Sequence, residues 1–172
     1  IGEKFSGKSH LINIFLEKYR GIKINAEDIN NDFLQQIKIY ENIIVEDLTE
    51  KINENLLYTL INIIDQDNKY LIVTSIIPIV DFKFKLNDLN SRSTNFILSQ
   101  IEKPGDDLIY ALILKNLSDR QISIDQKLIE FIIKRIDRTY GKISDFIYKI
   151  DEISLKRKKP IDFKIIREAL EV

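Results

Sequence analysis

Eight residues at the start of the chain, Gly2-Glu3-Lys4-Phe5-Ser6-Gly7-Lys8-Ser9, form the pattern G-x-x-x-x-G-K-[ST]. In such a loop, successive backbone N–H groups converge on an anion, because the glycines carry no side chain that would block its approach. The chain has only five glycines, and two of them occupy the required positions. A helix that begins near Gly7 would add its positive N-terminal end to the same site. The octet therefore predicts a loop that binds the phosphates of a nucleotide.

The residue types of this loop predict how the nucleotide is held. Lys8 would reach the β- and γ-phosphates, and the Ser9 hydroxyl would ligate a Mg²⁺ ion carried by them. The expected ligand is ATP or ADP with Mg²⁺, and the whole octet is predicted to contact it: Gly2, Glu3, Lys4, Phe5, Ser6, Gly7, Lys8 and Ser9. The alternative, a glycine-containing turn before a helix, is disfavoured because the full octet is rare by chance. His10 is the single histidine and is expected to pack beside the loop without a catalytic role.

Short apolar strands alternate with amphipathic helices through the first hundred residues. Strands are predicted at 21–25, at 43–45 with two acids at its end, and at 70–73, closed by Thr74 and Ser75. Helices are predicted over 11–19, 33–40 and 56–64. Continuous apolar strands in this alternation predict a parallel sheet covered by helices on both faces. Ile1 is interpreted as the last residue of a further strand whose body lies outside this sequence. The predicted fold class is α/β, with a parallel central sheet whose first strand is largely missing.

The character of the chain changes at Glu102-Lys103-Pro104-Gly105, where strand patterns stop and helical stripes follow. The stripes are centred on residues 108–113, 128–136, 143–150 and 165–169, and they predict a small helical bundle. We therefore predict two parts, an α/β nucleotide-binding subdomain over 1–103 and a helical subdomain over 104–172.

Polar residues follow two of the predicted strands at the edge where ligands bind in parallel sheets. Glu46 and Asp47 end the strand 43–45 and have the form of a Walker B motif, with Glu46 where aspartate is usual. Glu46 would hold Mg²⁺ and Asp47 would polarise the attacking water; the alternative is two acids at an ordinary strand end. Thr74 and Ser75 end the next strand and would sense the γ-phosphate or the water, although these residues also end strands for turn reasons.

The composition restricts the possible partners and surroundings. A formal net charge of −1 provides no global field that would attract DNA or an anionic membrane, so any DNA contact would be local or indirect. The basic run 156–159 is interpreted as the solvated end of a helix, with DNA contact as the less favoured alternative. The chain has no cysteine, and no apolar run approaches the roughly 20 residues that span a bilayer. These features are typical of a cytoplasmic protein without a membrane segment.

Several segments together resemble the DnaA/Hda family of AAA+ proteins, in the same order along the chain. They are Gly7-Lys8-Ser9-His10-Leu11, Ile43-Ile44-Val45-Glu46-Asp47, Ile72-Val73-Thr74-Ser75 and Leu86-Asn87-Asp88-Leu89-Asn90-Ser91-Arg92. The later segments Lys134-Arg135-Ile136-Asp137-Arg138 and Ile165-Ile166-Arg167-Glu168-Ala169-Leu170 look most like the Hda branch, the regulatory inactivators of DnaA. The resemblance implies an AAA+ P-loop NTPase core followed by a helical lid.

The resemblance also implies a role and partners. Arg92 would be an arginine finger, which projects into the site of a neighbouring subunit and stabilises charge on its γ-phosphate. The implied partner is ATP-bound DnaA, and a sliding clamp would be gripped through an N-terminal motif absent from this chain; a homodimer is also possible. Without the resemblance, Arg92 is simply a surface arginine that caps a helix.

Two positions depart from the family pattern. Ile76 stands where an aspartate is expected, and Gly141 stands where a lid arginine contacts the nucleotide, which leaves Lys142, Arg138 or Arg135 as substitutes. These losses predict weak or absent hydrolysis of the chain's own ATP. The alternatives left open are a self-hydrolysing AAA+ ATPase, a DnaA-type initiator cut before its DNA-binding domain, and an assembly module in which the nucleotide is only structural.

Overall fold

The computed structural model describes residues 1–170; residues 171 and 172, which close the predicted helical range, lie outside the described residues. The chain forms two compact units. The first contains Ile1–Gly2 and Gly7–Ile101, and the second contains Glu3–Ser6 and the chain from Glu102 onward. The two units have separate apolar cores.

The first unit is a parallel α/β layer structure. Its elements are α1 (Lys8–Lys18), β1 (Gly21–Asn25), α2 (Asn31–Gln36), β2 (Asn42–Leu48), α3 (Glu54–Gln66), β3 (Tyr70–Ser75) and α4 (Asn87–Ser93), with 3-10 turns at Ala26–Asp28, Ile37–Ile39 and Ile79–Asp81. The strands pair in the order β1-β2-β3, and both pairings are parallel. The predicted parallel sheet is therefore confirmed.

The central strand β2 contributes buried side chains to the core of the first unit. Ile43, Ile44 and Val45 are fully buried, as expected for a strand that is covered on both faces. The neighbouring strand β1 begins at Gly21, a position where only glycine fits. A Cβ atom there would lie 2.8 Å from the Asn42 carbonyl oxygen and 2.9 Å from Leu16 Cδ2. This glycine lets β1 pair closely with β2 beneath α1.

The strand β3 is less covered than the sequence predicts. Leu71, Ile72 and Val73 are only half-buried, and they line a cavity of about 520 Å³. Among residues 1–170, no further strand pairs along the outer side of β3. The start of the chain lies beside the end of β3, since the Gly2 N–H donates a hydrogen bond to the Ser75 carbonyl oxygen. On the other side, the Ile101 N–H donates to the Ile1 carbonyl oxygen.

The second unit is a helical bundle, as predicted. It contains α5 (Asp106–Asp119), α6 (Gln126–Ile133), α7 (Tyr140–Arg157) and α8 (Phe163–Leu170). Side chains at helical spacing fill its core; Ile109, Ile113, Ile129, Ile132 and Ile150 are at most 1% exposed. Within residues 1–170, no helix is both long and apolar enough to cross a membrane.

Candidate functional site

The glycine-lysine-serine end of the loop has the backbone geometry that an anion site requires. Gly7 has φ +91°, a left-handed conformation that favours glycine, and α1 begins at the next residue. Phe5 is also left-handed, at φ +67°. The Lys8 ammonium donates a hydrogen bond of 2.8 Å to the Gly2 carbonyl oxygen, across the mouth of the loop. The loop therefore opens onto the N-terminal end of α1, where backbone N–H groups face outward.

The acidic pair lies at an irregularity near the end of β2. The strand continues to Leu48, and its pairing with β3 shifts register between Val45 and Leu48. Asp47 takes a left-handed conformation with φ +54°, and its N–H donates to the Thr74 hydroxyl oxygen at 3.0 Å. The structure thus brings the Walker B and predicted sensor residues together through a direct hydrogen bond.

The two predicted sensor hydroxyls are used differently. Thr74 accepts a hydrogen bond from Asp47, so its own proton stays available for donation to a ligand. Ser75 donates its proton to the Ile77 carbonyl oxygen at 2.7 Å, which is the turn-stabilising role of a serine at a strand end. Both residues are buried and line the same cavity as Lys8. Thr74 is the better placed of the two as a hydrogen-bond donor.

Glu46 is held by a lysine that the sequence patterns did not single out. Lys23 Nζ on β1 lies 3.3 Å from Glu46 Oε2, and the same ammonium donates to Asn13 Oδ1 on α1 at 2.9 Å. The other carboxylate oxygen, Glu46 Oε1, is buried and has no hydrogen-bond partner among residues 1–170. The only sequence feature that could have indicated this contact is the position of Lys23, a lone charged residue in the short apolar strand Gly-Ile-Lys-Ile-Asn.

The residues present fit a Mg²⁺ ion brought by a nucleotide. An unpartnered buried carboxylate oxygen and the Ser9 hydroxyl are hard oxygen donors of the kind that Mg²⁺ prefers. Within the described part of the chain, no group of three or more His, Cys, Asp or Glu residues could hold a metal ion. The two donors, Glu46 and Ser9, suit Mg²⁺, because this ion is usually bound through one or two protein ligands plus phosphates and waters.

Arg92 is held against the end of α3. It forms an ion pair with Asp65 in the last turn of that helix, and its guanidinium is 5.5 Å from the centre of the Tyr58 ring. Arg92 and Asp65 line the cavity of about 520 Å³ that Lys8 and Thr74 also line. The predicted arginine finger therefore shares a cavity with the loop lysine of its own chain.

In the second unit, the start of α7 faces the remaining loop residues. A Cβ atom at Gly141 would point at the Phe5 ring and lie 3.9 Å from Phe5 Cδ2. The Tyr140 hydroxyl donates to the Glu102 carbonyl oxygen at 3.1 Å. Burial of the Tyr140 phenol, with a smaller contribution from the Glu3 carboxylate, raises the pKa of Tyr140. A side chain at position 141 would thus extend toward the phosphate loop.

The three predicted substitutes for the lid arginine have different surroundings. Arg138 pairs with Asp106 at 2.6 Å, and Arg135 stacks on the Phe131 ring at 3.7 Å. Lys142 is exposed in the first turn of α7, one residue from Gly141. Lys142 is the substitute that neither a carboxylate nor an aromatic ring engages within the described residues.

The basic run at the end of α7 is solvated, as predicted. Lys156 pairs with Glu152 at 2.7 Å, and Arg157 pairs with Glu168. Lys158 ends the helix in a left-handed conformation. Two of the four cations, Lys156 and Arg157, therefore have acidic partners.

The fold and these residues have counterparts among known proteins. No family model matches the chain. The DnaA chromosomal replication initiator of Borreliella afzelii (strain PKo) is 25% identical over 192 residues, which cover 95% of this chain and 39% of that protein. The chain therefore spans well under half the length of this relative.

Solved structures give the same result for the fold. Domain III of Thermotoga maritima DnaA aligns with a TM-score of 0.75 and 17% identity, over 99% of this chain and 81% of that one. AMPPCP-bound DnaA from Aquifex aeolicus aligns with a TM-score of 0.67 and 19% identity, over 91% and 56% of the two chains. The chain folds as a DnaA-like AAA+ domain.

This fold is shared more widely among AAA+ proteins. The Thermotoga maritima RuvB Holliday junction branch migration motor aligns with a TM-score of 0.72 and 16% identity, over 99% of this chain and 59% of RuvB. Similarity at this level concerns the architecture of the domain, and the assignment of function depends on the site residues.

Proposed function

We propose that this protein is a nucleotide-binding AAA+ regulator of replication initiation, which promotes hydrolysis of DnaA-bound ATP in trans through Arg92. The observation that carries the proposal is the exposure of Arg92, whose side chain is 31% exposed and pairs with the still more exposed Asp65. Water screens such a pair strongly, so it holds the guanidinium only weakly. A neighbouring subunit could therefore engage Arg92 at small cost.

The chain's own loop binds ATP or ADP in this proposal. Gly7 and Lys8 present the backbone and ammonium groups to the phosphates, and Thr74 offers a hydroxyl proton. The neighbour from Aquifex aeolicus, a DnaA, was solved with AMPPCP bound, which supports nucleotide binding in this fold. Ser9 and Glu46 would hold Mg²⁺, which would neutralise phosphate charge when the nucleotide is bound.

Two features favour action on a partner over turnover of the chain's own ATP. Lys23 already engages the Glu46 carboxylate, and Ile76 replaces an acidic residue. Bound ADP would then have a mainly structural role. DnaA is the proposed protein partner and a sliding clamp a further one, with DNA reached only indirectly, in the cytoplasm.

A second candidate is a DnaA-type replication initiator. The similarity to DnaA of Borreliella afzelii extends over 95% of this chain, which favours an initiator's AAA+ module. In this alternative the same Arg92 would act between identical subunits in an assembly, of which a homodimer is the smallest. The two candidates share the nucleotide site and differ in whether the neighbouring subunit is a separate DnaA protein.

The first experiment measures hydrolysis of ATP bound to DnaA from the same organism, in the presence of clamp-loaded DNA. Wild-type protein is expected to accelerate hydrolysis, and Arg92→Ala is expected to reduce the acceleration by about 10³-fold. Arg120→Ala is the matched control, because Arg120 is a similarly exposed arginine that pairs with Asp151 in the other unit. The control should retain full acceleration.

Binding of a fluorescent ATP analogue separates the possible outcomes. Arg92→Ala should bind the analogue like wild type, since the arginine is not one of the loop residues that would hold the phosphates. If wild type binds nucleotide but never accelerates DnaA, the regulator proposal is wrong. Arg92-dependent hydrolysis by the protein alone, rising steeply with its concentration, would instead favour the initiator.

A further inference from the structure

The ion pair between Lys23 and Glu46 lies where a nucleotide-bound cation is expected. Lys23 pairs with Ile44 across the sheet, and Glu46 is two residues further along β2, so both side chains project from the same face. This face is covered by α1, because Asn13 of that helix accepts a hydrogen bond from the Lys23 ammonium. The ammonium is thus fixed between α1 and β2.

The helix α1 links this ammonium to the loop. Ser9 and Asn13 are four residues apart on α1, so they occupy the same side of the helix in successive turns. Ser9 is the predicted Mg²⁺ ligand, and Asn13 holds Lys23. The Lys23 ammonium therefore contacts α1 about one helical turn from Ser9, which together with Glu46 would hold Mg²⁺.

Only one of the two carboxylate oxygens of Glu46 has a partner within residues 1–170. Glu46 has a side chain that is 13% exposed, whereas that of Lys23 is 41% exposed. Oε2 contacts the ammonium, and the buried Oε1 has no hydrogen-bond partner among the described residues. A mostly buried carboxylate needs a compensating cation, and Lys23 supplies one without a metal.

We propose that Lys23 is a permanent counter-cation of Glu46 and competes with Mg²⁺ for this carboxylate. By this competition, Lys23 sets the Mg²⁺ concentration at which nucleotide binds. Two cations that share one carboxylate repel each other, and a low local dielectric strengthens that repulsion. Lys23 thus raises the Mg²⁺ concentration that the site requires. Lys23 acts as a positioning residue, through Glu46, and the inference rests on the proposed nucleotide site.

The test is a Mg²⁺ titration of the binding of a fluorescent ATP analogue, starting from EDTA. Lys23→Met keeps the length of the stem and removes the charge, and it should lower the half-saturating Mg²⁺ concentration by about tenfold. Lys23→Arg restores the charge and should return the value to that of wild type. Lys156→Met, which breaks a different lysine–glutamate pair in the second unit, is the matched control and should change nothing.

A double-mutant cycle with Glu46→Gln distinguishes this role from a general effect on folding. In the Glu46→Gln background, Lys23→Met should leave the half-saturating Mg²⁺ concentration unchanged, because no carboxylate remains to be shared. If all variants bind nucleotide with the same Mg²⁺ dependence, or if Lys23→Arg behaves like Lys23→Met, the counter-cation role is wrong and the nucleotide site stands. If no variant binds nucleotide with or without Mg²⁺, the proposed function is wrong as well.

Discussion

Arg92 is held by Asp65 of the same chain, in an ion pair between α4 and the last turn of α3. The Arg92 side chain is 31% exposed and the Asp65 side chain is 61% exposed, so water screens the pair strongly. Exposed pairs of this kind contribute only about 0–1 kcal/mol to stability. A partner subunit could therefore draw Arg92 away from Asp65 at small cost.

Loss of the Asp65 carboxylate should release Arg92 without unfolding the protein. We expect Asp65→Asn to change the free energy of unfolding by less than about 1 kcal/mol in a denaturant titration. Acceleration of DnaA-bound ATP hydrolysis should be retained or increased, because the arginine no longer has to leave a carboxylate. Asp67→Asn is the control, since Asp67 pairs with Lys69 and does not contact Arg92. A loss of acceleration specific to Asp65→Asn would mean that Asp65 orients the arginine for its function.

Glu54 fixes the chain just before the helix that carries Arg92. Its two carboxylate oxygens accept hydrogen bonds from the Lys85 N–H at 3.0 Å and the Leu86 N–H at 2.8 Å. These backbone hydrogen bonds lower the pKa of Glu54. The resulting stabilisation is complete above the ordinary pKa of a glutamate and is lost as the pH falls through the lowered value in the folded state.

The pH dependence gives a direct test of this tether. The difference in unfolding free energy between wild type and Glu54→Gln should be largest near neutral pH and should shrink as the pH falls below about 4.5. Denaturant titrations of the two proteins between neutral and acidic pH provide the measurement. Glu50→Gln, in the loop before α3, serves as the control and should show no such trend. A difference that stays constant with pH would rule out the charged carboxylate as the source.

Thr74 supports the irregular backbone at Asp47. We expect Thr74→Val to destabilise the protein by about 1–3 kcal/mol, because the Asp47 N–H loses its acceptor at a part-buried position. Thr74→Ser keeps the hydroxyl and should cost less. Thermal or denaturant unfolding measures both changes. A larger loss for serine than for valine would indicate that packing of the threonine methyl group, and not the hydrogen bond, determines the effect.

The parts of the fold that follow local patterns were predictable, and the long-range pairings were not. The apolar runs at 43–45 and 70–73 predicted the parallel strands because buried strands need continuous apolar residues. The bounds of the short helix α4 were not predicted, since its seven residues bury only Leu89 and Ser93 and carry no helical stripe. The second predicted helix proved to be α2 followed by a 3-10 turn at Ile37–Ile39.

The same distinction applies to the candidate site. The loop and the acids could be predicted because their spacing along the chain is itself the pattern. The partners of these residues come from distant segments: Lys23 reaches Glu46 from a neighbouring strand, and Asp65 reaches Arg92 across 27 residues. Such contacts depend on the register of the sheet and the packing of α3 on α4, which a single sequence does not contain.

Substitution by alanine at Gly21 and at Gly141 should change the stability of the protein in opposite directions. Gly21→Ala places a methyl group 2.8 Å from a backbone oxygen and should destabilise the protein by about 1–3 kcal/mol. Gly141 lies in the first turn of α7, and its nearest neighbour to a new Cβ is 3.9 Å away. Gly141→Ala should therefore be neutral or stabilising by up to about 1 kcal/mol, because alanine favours the helix. Denaturant unfolding of both variants tests the contrast, and destabilisation by Gly141→Ala would show that this helix start is more crowded than the structure indicates.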